Sequence, residues 1–186
     1  MHTSSLFKST SEVATASYEA RQSGVKSGMF IKDAFRLCPD AIFLPCNYKR
    51  YEEVSNLFYE VLMKFTKMIQ PISADEAVLD LSMCGFSELD SVLTEIRTQI
   101  LTVTGCPASA GAGENLLIAK LATRKAKPNG QVIVHSESIS SFLADIPVGE
   151  LPKVGEVTTG RLKQKNIHTI SDLATHSLVC FIHLLF

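Results

Sequence analysis

The sequence predicts an α/β (α+β) fold, followed by a helical segment towards the C-terminal end. Long apolar stripes with helical spacing alternate with short apolar runs that are typical of strands. From residue 135 onward the pattern changes to short helices joined by Pro and Gly. With 186 residues and 46% hydrophobic side chains, the chain can bury a substantial core.

A small helical unit is predicted near the N-terminal end. Residues 14–21 favour a helix, which Gly24 and Gly28 then interrupt. A second helical pattern over residues 29–37 stops before Pro39, because proline cannot continue a helix. We therefore expect two short helices joined by a glycine-containing turn.

A long amphipathic helix is predicted in the middle of the chain, because apolar residues recur there every three or four positions. Pro71 ends this helix or the strand that follows it, and residues 77–81 have the composition of a short buried strand. The apolar stripe consists of Tyr51, Val54, Phe58, Val61, Leu62, Phe65 and Ile69.

Two more helices and two short strands are predicted farther along. A helical stripe covers residues 89–100, and the segment CPASAGAG, residues 106–113, is typical of a short strand and turn. Another helix runs over residues 115–125. The Pro-Asn-Gly turn at residues 128–130 then leads into a strand over residues 131–134. We place a boundary at the end of that strand.

The charge balance excludes a strong global attraction to polyanions. The formal net charge is -1, from 18 basic and 19 acidic residues, so any site for nucleic acid must be local. The five cysteines form no C-x-x-C pair, which is typical of reduced thiols inside a cell. No apolar stretch reaches the roughly 20 residues that span a bilayer, and we expect no membrane partner.

Two adjacent carboxylates, Asp75 and Glu76, stand in the segment PISADEAVLDLS. On a regular strand they would point to opposite faces, so they can share a ligand only at a bend. Pro71 and the small Ser73 and Ala74 favour such a bend at the tip of a hairpin. Oxygen ligands of this kind suit Mg²⁺. The alternative is an ordinary solvated Asp-Glu dipeptide.

Basic side chains suggest two contacts with phosphate. Tyr18 and Arg21 are three residues apart and would share a helix face, where a phenol and a guanidinium can both donate to a triphosphate. Arg124, Lys125 and Lys127 end a helix just before the Pro-Asn-Gly turn. The alternatives are an ordinary surface pair in the first case, and complementation of the helix dipole or a nuclear-import patch in the second.

Two glycine-containing segments differ in what they predict. GAGENLLIAK lacks the G-K-[ST] ending of a phosphate loop and carries Glu114 where a phosphate would dock, so we interpret it as a strand-to-helix turn. LPKVGEV, residues 151–157, predicts a hairpin between short helices, whose backbone amides can hold a DNA phosphate. A plain helix connection is the alternative there.

These segments, in this order, resemble the Y-family translesion DNA polymerases over residues 12–176. SYEAR with GVKSGM resembles the fingers motif, and SADEAVLDLS resembles the palm hairpin. AKLATRKAKPNGQ resembles the nucleotide-binding end of the palm, and IPVGELPKVGEV the helix-hairpin-helix of the thumb. Within the family the chain is most similar to the deoxycytidyl transferase branch, the Rev-type DNA repair proteins.

The resemblance implies nucleotidyl transfer onto a primer end, with Mg²⁺ as cofactor. Primer-template DNA and a deoxynucleoside triphosphate, dCTP in that branch, would be the partners, beside other translesion polymerase components, in the nucleus. The implied roles are metal binding and catalysis for Asp75 and Glu76, nucleotide binding for Thr15, Tyr18, Arg21 and Lys127, and DNA binding for Lys153, Gly155 and Val157.

The resemblance also implies three parts. They are partial fingers over residues 1–47, a partial palm over residues 48–134, and a thumb with a helix-hairpin-helix over residues 135–186. Lys153 stands where the hairpin usually has its first glycine, and the final SLVCFIHLLF does not follow the family.

Family members carry a further metal-binding aspartate on a first palm strand, and MHTSSLFKSTS contains no D-x-D or Asp-Phe-Phe stretch. The deoxycytidyl transferases also carry, in a segment upstream of the palm, an arginine that pairs with the incoming cytosine, and we expect this residue to be missing here as well. We expect this chain to be a fragment that lacks the first palm strand and the little-finger domain, and to be inactive or nearly so by itself. The alternatives are a non-catalytic fragment that binds damaged DNA or a partner, and a product that does not fold alone.

Overall fold

The computed structural model describes residue 8 and residues 10–176. Short 3₁₀ turns lie at Phe86–Glu88, Ser136–Ser138 and Val148–Glu150. The helices are α1 (Tyr18–Gln22), α2 (Ile31–Leu37), α3 (Tyr48–Phe65), α4 (Leu89–Thr104), α5 (Leu116–Ala126), α6 (Ile139–Ala144), α7 (Glu156–Lys163) and α8 (Ile170–Thr175). The strands are β1 (Ile69–Pro71), β2 (Ala77–Leu79), β3 (Ala110–Ala112) and β4 (Gln131–Ile133). None of the described helices combines the length and the apolar content that a bilayer crossing requires.

The chain divides into two compact units, Met1–Tyr48 and Lys49–Phe186. In the first unit, α1 and α2 pack around a small core of Val13, Val25 and Ala34. The connection between these helices turns at Gly24 and Gly28, whose φ angles of 91° and 78° are left-handed. Glycine adopts this conformation without a Cβ clash, so the predicted glycine-containing turn is confirmed.

Helices α3 and α4 form the core of the second unit. Their apolar stripes meet, as the sequence pattern predicts, and both pairs of strands lie against them. Helix α3 ends at Phe65, and Ile69 of its predicted stripe instead begins β1. The buried members of this α3–α4 core are Val61, Leu62, Leu89, Leu93, Ile96 and Ile100.

The described strands form two separate sheets of two strands each. Strands β1 and β2 are an antiparallel hairpin in which Ile69 pairs with Leu79 and Pro71 with Ala77. Strands β3 and β4 are parallel, as a β-α-β unit requires when α5 connects them. The predicted α/β fold class is therefore confirmed, with strands shorter than the sequence suggests.

Close packing explains the glycines before α5. A Cβ on Gly111 would lie 2.0 Å from the backbone nitrogen of Thr123, so β3 and α5 approach closely only because Gly111 has no side chain. Asn115 caps α5 through a 3.0 Å hydrogen bond that the amide of Ile118 donates to its side-chain oxygen. The segment is thus a strand-to-helix turn, as its sequence indicates.

The C-terminal helical part has its own small core of Val148, Leu162 and Ile167. Backbone pairing of Pro147 with Thr169 closes this part on itself. An ion pair joins it to α5, since the guanidinium of Arg124 donates to the Glu150 carboxylate and to the Glu150 carbonyl oxygen, each at 2.6 Å.

Candidate functional site

The adjacent carboxylates lie at the tip of the β1–β2 hairpin. We call residues 72–76 between the strands the carboxylate turn. The backbone amides of Ile72 and Ser73 donate to the carbonyl oxygen of Glu76, at 2.9 and 3.0 Å. The chain therefore bends before β2 begins, and both Asp75 and Glu76 are exposed. The hairpin and the bend that the sequence predicts are confirmed.

The surroundings of these carboxylates fit a divalent cation. Ser73 donates its hydroxyl to Asp75 Oδ1 at 2.7 Å, which orients that carboxylate. The ion pairs between described residues involve neither Asp75 nor Glu76, so no basic side chain neutralises them there. Hard carboxylate oxygens are the donors that Mg²⁺ prefers. In the described part of the chain, however, no three metal-binding side chains come together.

Asp80, the next carboxylate along the hairpin, is engaged locally. Hydrogen bonds from the side chain and the backbone of Ser82 lower the pKa of Asp80 below its ordinary value, and the Ser82 amide lies 2.8 Å from Asp80 Oδ1. These bonds stabilise the turn after β2. We therefore assign Asp80 a structural role.

In the first unit, Thr15, Tyr18 and Arg21 come together around one guanidinium. Arg21 Nε donates to the Ala16 carbonyl at 2.9 Å, and Arg21 Nη2 donates to Thr15 Oγ1 at 3.4 Å. The guanidinium carbon lies 5.5 Å from the centre of the Tyr18 ring, within range of a cation–π interaction. All three side chains are exposed. Their cluster presents a fixed positive charge beside two hydroxyl groups.

Lys127 follows α5 directly in the second unit. Its amide donates to the Arg124 carbonyl at 3.3 Å, and its side chain is exposed. The turn after it is held by Arg97, whose Nη2 donates to the carbonyl and the side-chain oxygen of Asn129, at 2.7 and 3.0 Å. Asn129 has a φ of 45°, which suits an Asn-Gly turn.

Arg97 was not identified from the sequence. It also donates to the Ala108 carbonyl at 2.8 Å and to Gln131 Oε1 at 3.0 Å, so it joins α4 to the N-terminal ends of both β3 and β4. Its partners are 11 to 34 residues away along the chain, and spacing on one helix cannot reveal them. The sequence shows only an arginine beside the apolar stripe of this helix, and its partial burial is seen in the structure.

The predicted hairpin connects the 3₁₀ turn at Val148–Glu150 to α7. Lys153 has a φ of 70°. This is the left-handed conformation that glycine adopts most readily, so the hairpin forms although lysine replaces the glycine. Gly155 precedes α7, and Val157 in its first turn is 72% exposed. Lys153 and Gly155 are exposed as well.

An open groove of about 460 Å³ borders this hairpin. It is lined in part by Gly155, Gly160 and Lys163. A Cβ on Gly155 or Gly160 would meet nothing within 4 Å, so both glycines leave the backbone accessible. The first amides of a helix have no acceptor within that helix. Such a surface can take a phosphate without reading a base.

The comparisons with known proteins identify the class. The sequence model of the impB/mucB/samB family matches residues 3–124. The structure superimposes with a TM-score of 0.87 on an insertion ternary complex of Dbh DNA polymerase, at 31% identity over 93% of this chain. It superimposes with a TM-score of 0.85 on DinB from Sulfolobus solfataricus, at 31% identity over 94% of this chain. These are polymerase folds, and the chain has the same architecture.

The chain belongs to the impB/mucB/samB family, the Y-family of DNA polymerases. It is 45% identical to the DNA repair protein REV1 of Arabidopsis thaliana over 166 residues, which are 89% of this chain and 15% of that protein. It is 40% identical to DNA polymerase IV of Stenotrophomonas maltophilia strain K279a over 171 residues, which are 91% of this chain and 47% of that protein. The chain thus spans about half the length of its polymerase IV relative, and also 51% of the Dbh chain.

Proposed function

We propose that this chain provides part of a nucleotidyl-transfer site for DNA synthesis across damaged template. The observation that carries the proposal is the exposed, unneutralised Asp75–Glu76 pair at a hairpin tip, inside the span matched by the family model. In this proposal residues 1–47, 48–134 and 135–186 serve as fingers, palm and thumb. Nuclear localisation is part of the same proposal and rests on the similarity to a plant DNA repair protein.

Asp75 and Glu76 would hold Mg²⁺. The bend of the carboxylate turn exposes both groups, and the Ser73 hydroxyl orients the first of them. Bound there, Mg²⁺ would neutralise the triphosphate and stabilise the attacking and leaving oxygens.

Thr15, Tyr18 and Arg21 would bind the triphosphate. Arginine suits this task because its planar fork matches phosphate oxygens, and here it is oriented by Ala16 and Thr15 before any ligand binds. Lys127 is likewise proposed to bind the nucleotide through its positive charge. Primer-template DNA would lie along Lys153, Gly155 and Val157, with its phosphates held by backbone amides and by the lysine charge.

The proposed nucleotide is dCTP, added opposite damaged or abasic template. The support is the similarity of SYEARQSGVKSGMF and of residues 106–131 to the deoxycytidyl transferase branch, together with 45% identity to a REV1 protein. Other translesion polymerase components are proposed as further partners.

The 186-residue chain alone should be inactive or nearly so, since two carboxylates do not supply the ligand set that such chemistry uses. Primer extension with dCTP and Mg²⁺ opposite template G tests this directly. Robust incorporation by the chain alone would refute the inactivity. Equal affinities of the chain for dCTP and for the other three nucleotides, measured with Mg²⁺, would refute the preference for dCTP.

A non-catalytic DNA-binding fragment is the second candidate function. The accessible glycine backbone beside Lys153 and Lys163 favours it, because this surface needs no metal. Titration of primer-template DNA at two salt concentrations tests it, with weaker binding expected at the higher salt as phosphate contacts are screened. DNA affinity that does not change with salt, or the absence of binding, would count against this candidate.

A further inference from the structure

The hydroxyl of Tyr59 lies against the carboxylate turn from the side of helix α3. Its single proton is shared between two acceptors, the Ser73 carbonyl oxygen at 2.7 Å and the Glu76 carbonyl oxygen at 3.1 Å. These oxygens belong to the residues on either side of the Ala74–Asp75 tip. One phenol thus joins the two arms of the turn that carries both proposed metal ligands.

The position of this phenol is set by the protein core. The Tyr59 ring is half-buried and packs against the α3–α4 core. It also meets the Phe58 ring edge to face, with centroids 5.1 Å apart and an angle of 74° between the planes. The hydroxyl therefore extends from a fixed support on α3.

The carboxylate turn needs such a support. Asp75 and Glu76 are exposed, and apart from the Ser73 hydroxyl on Asp75 the described contacts of this turn are made by its backbone. The directions of the two carboxylates consequently follow the backbone dihedrals of residues 73–76. The Glu76 carbonyl already accepts the amides of Ile72 and Ser73, and the Tyr59 hydroxyl adds a third donor that ties this closed loop to α3.

We propose that Tyr59 is a positioning residue for the metal site, because its hydroxyl holds the turn in the conformation that directs Asp75 and Glu76 to one cation. This inference rests on the proposed metal-binding role of the two carboxylates. Tyr59 does not touch the cation and acts only through the turn. Outer contacts of this kind typically change metal affinity by about 10- to 100-fold.

The test measures Mn²⁺ binding to the full 186-residue chain. Electron paramagnetic resonance detects the free Mn²⁺ ion and so gives the bound fraction. Tyr59→Phe removes one oxygen and keeps the ring, so the core packing stays. We expect its dissociation constant for Mn²⁺ to rise about tenfold. Thr102→Val, which removes a hydroxyl that donates only within α4 to the Thr98 carbonyl, is the control and should bind Mn²⁺ as the wild-type chain does.

Hydrogen exchange without metal provides a second measurement. The amides of residues 73–76 should exchange faster in Tyr59→Phe, while those of β3 and β4 keep their protection. If Tyr59 were merely structural, the variant would unfold at a lower temperature but bind Mn²⁺ as the wild-type chain does, and that result would overturn the inference.

The Asp75→Asn variant separates the two proposals. If it weakens Mn²⁺ binding and Tyr59→Phe does not, only the inference about Tyr59 is wrong. If neither the wild-type chain nor any variant binds Mn²⁺, or if Asp75→Asn binds it unchanged, the proposed metal role of the carboxylates is wrong and the inference falls with it.

Discussion

Arg21 is oriented by its neighbours, and this makes its substitution informative. Lysine keeps the charge but loses the fork that contacts Ala16 and Thr15. We expect Arg21→Lys to lower the affinity for dCTP with Mg²⁺ about tenfold, because hydrogen bonds to charged groups contribute roughly 1.5–3 kcal/mol. Equilibrium binding of a fluorescent dCTP analogue measures this.

Arg36→Lys is the matched control for that measurement, because Arg36 lies on α2 in an exposed ion pair with Asp33. It should leave the dCTP affinity unchanged. Equal affinities for the wild-type chain and Arg21→Lys would remove Arg21 from the proposed nucleotide site.

Gly111 gives a second prediction at the level of one residue. A methyl group there would meet the α5 backbone, which cannot move aside as a flexible side chain can. We expect Gly111→Ala to lower the free energy of unfolding by about 3 kcal/mol or more, above the usual cost of overpacking. Gly160→Ala, in open space on α7, should be neutral or stabilising by about 0.5–1 kcal/mol. Denaturant titration compares the two variants, and equal stabilities would contradict the close approach of β3 and α5.

At the scale of elements, the sequence predicts what is local and misses what is distant. Helices α3 and α4 follow from apolar spacing, and the hairpin follows from the residues that flank Asp75. The contacts of Arg97 with residues 129 and 131 do not, because they join segments more than 30 residues apart. The contact of Tyr59 with residues 73 and 76, which are 14 and 17 residues away, does not follow from spacing either. Residue spacing in the sequence therefore predicts the candidate side chains but not the residues that hold them in place.

Helix α8 begins with a capping box that depends on pH. Thr169 accepts from the Asp172 amide at 3.1 Å, and the Asp172 carboxylate accepts from the amides of Thr169 and His168 at 2.8 and 2.9 Å. These hydrogen bonds lower the pKa of Asp172, and the bond from the Thr169 amide contributes most. In an unfolded chain the pKa of an aspartate carboxyl is about 3.9. The stabilisation is therefore fully present above that pH, and it is lost as the pH falls through the lower folded value.

We expect Asp172→Asn to be less stable than the wild-type chain at neutral pH, and the difference to shrink when the pH falls below the folded pKa. Denaturant titrations at several pH values between neutral and strongly acidic conditions measure it. Ser171→Ala, at an exposed and uncharged position of the same helix, is the control and should change stability equally at every pH. A difference that stays constant with pH would show that the Asp172 charge does not stabilise α8.

At the scale of the whole molecule, the two small sheets share one helical support. Both lie on the α3–α4 core, and within the described residues neither β2 nor β3 has a second strand partner. Unpaired strand edges are templates for association between chains. We expect the isolated chain to self-associate as its concentration rises, which light scattering detects.

A charge beside the β2 edge should suppress that association. Ala77 and Leu79 face the core, so Val78 between them points to the opposite face of the hairpin. Val78→Lys should therefore reduce scattering without unfolding the chain. Val103→Lys, at an exposed position of α4, is the control and should scatter as the wild-type chain does. Equal scattering from both variants would mean that association does not occur through β2.

The left-handed backbone conformation of Lys153 lowers the stability of the hairpin, while its side chain is proposed to raise the affinity for DNA. A side chain in this conformation costs about 1 kcal/mol relative to glycine, yet it brings a positive charge to the turn proposed to face DNA. Lys153→Gly should consequently raise the free energy of unfolding and weaken DNA binding, measured by denaturant titration and by DNA titration, so the proposed DNA contact would come at a cost in stability.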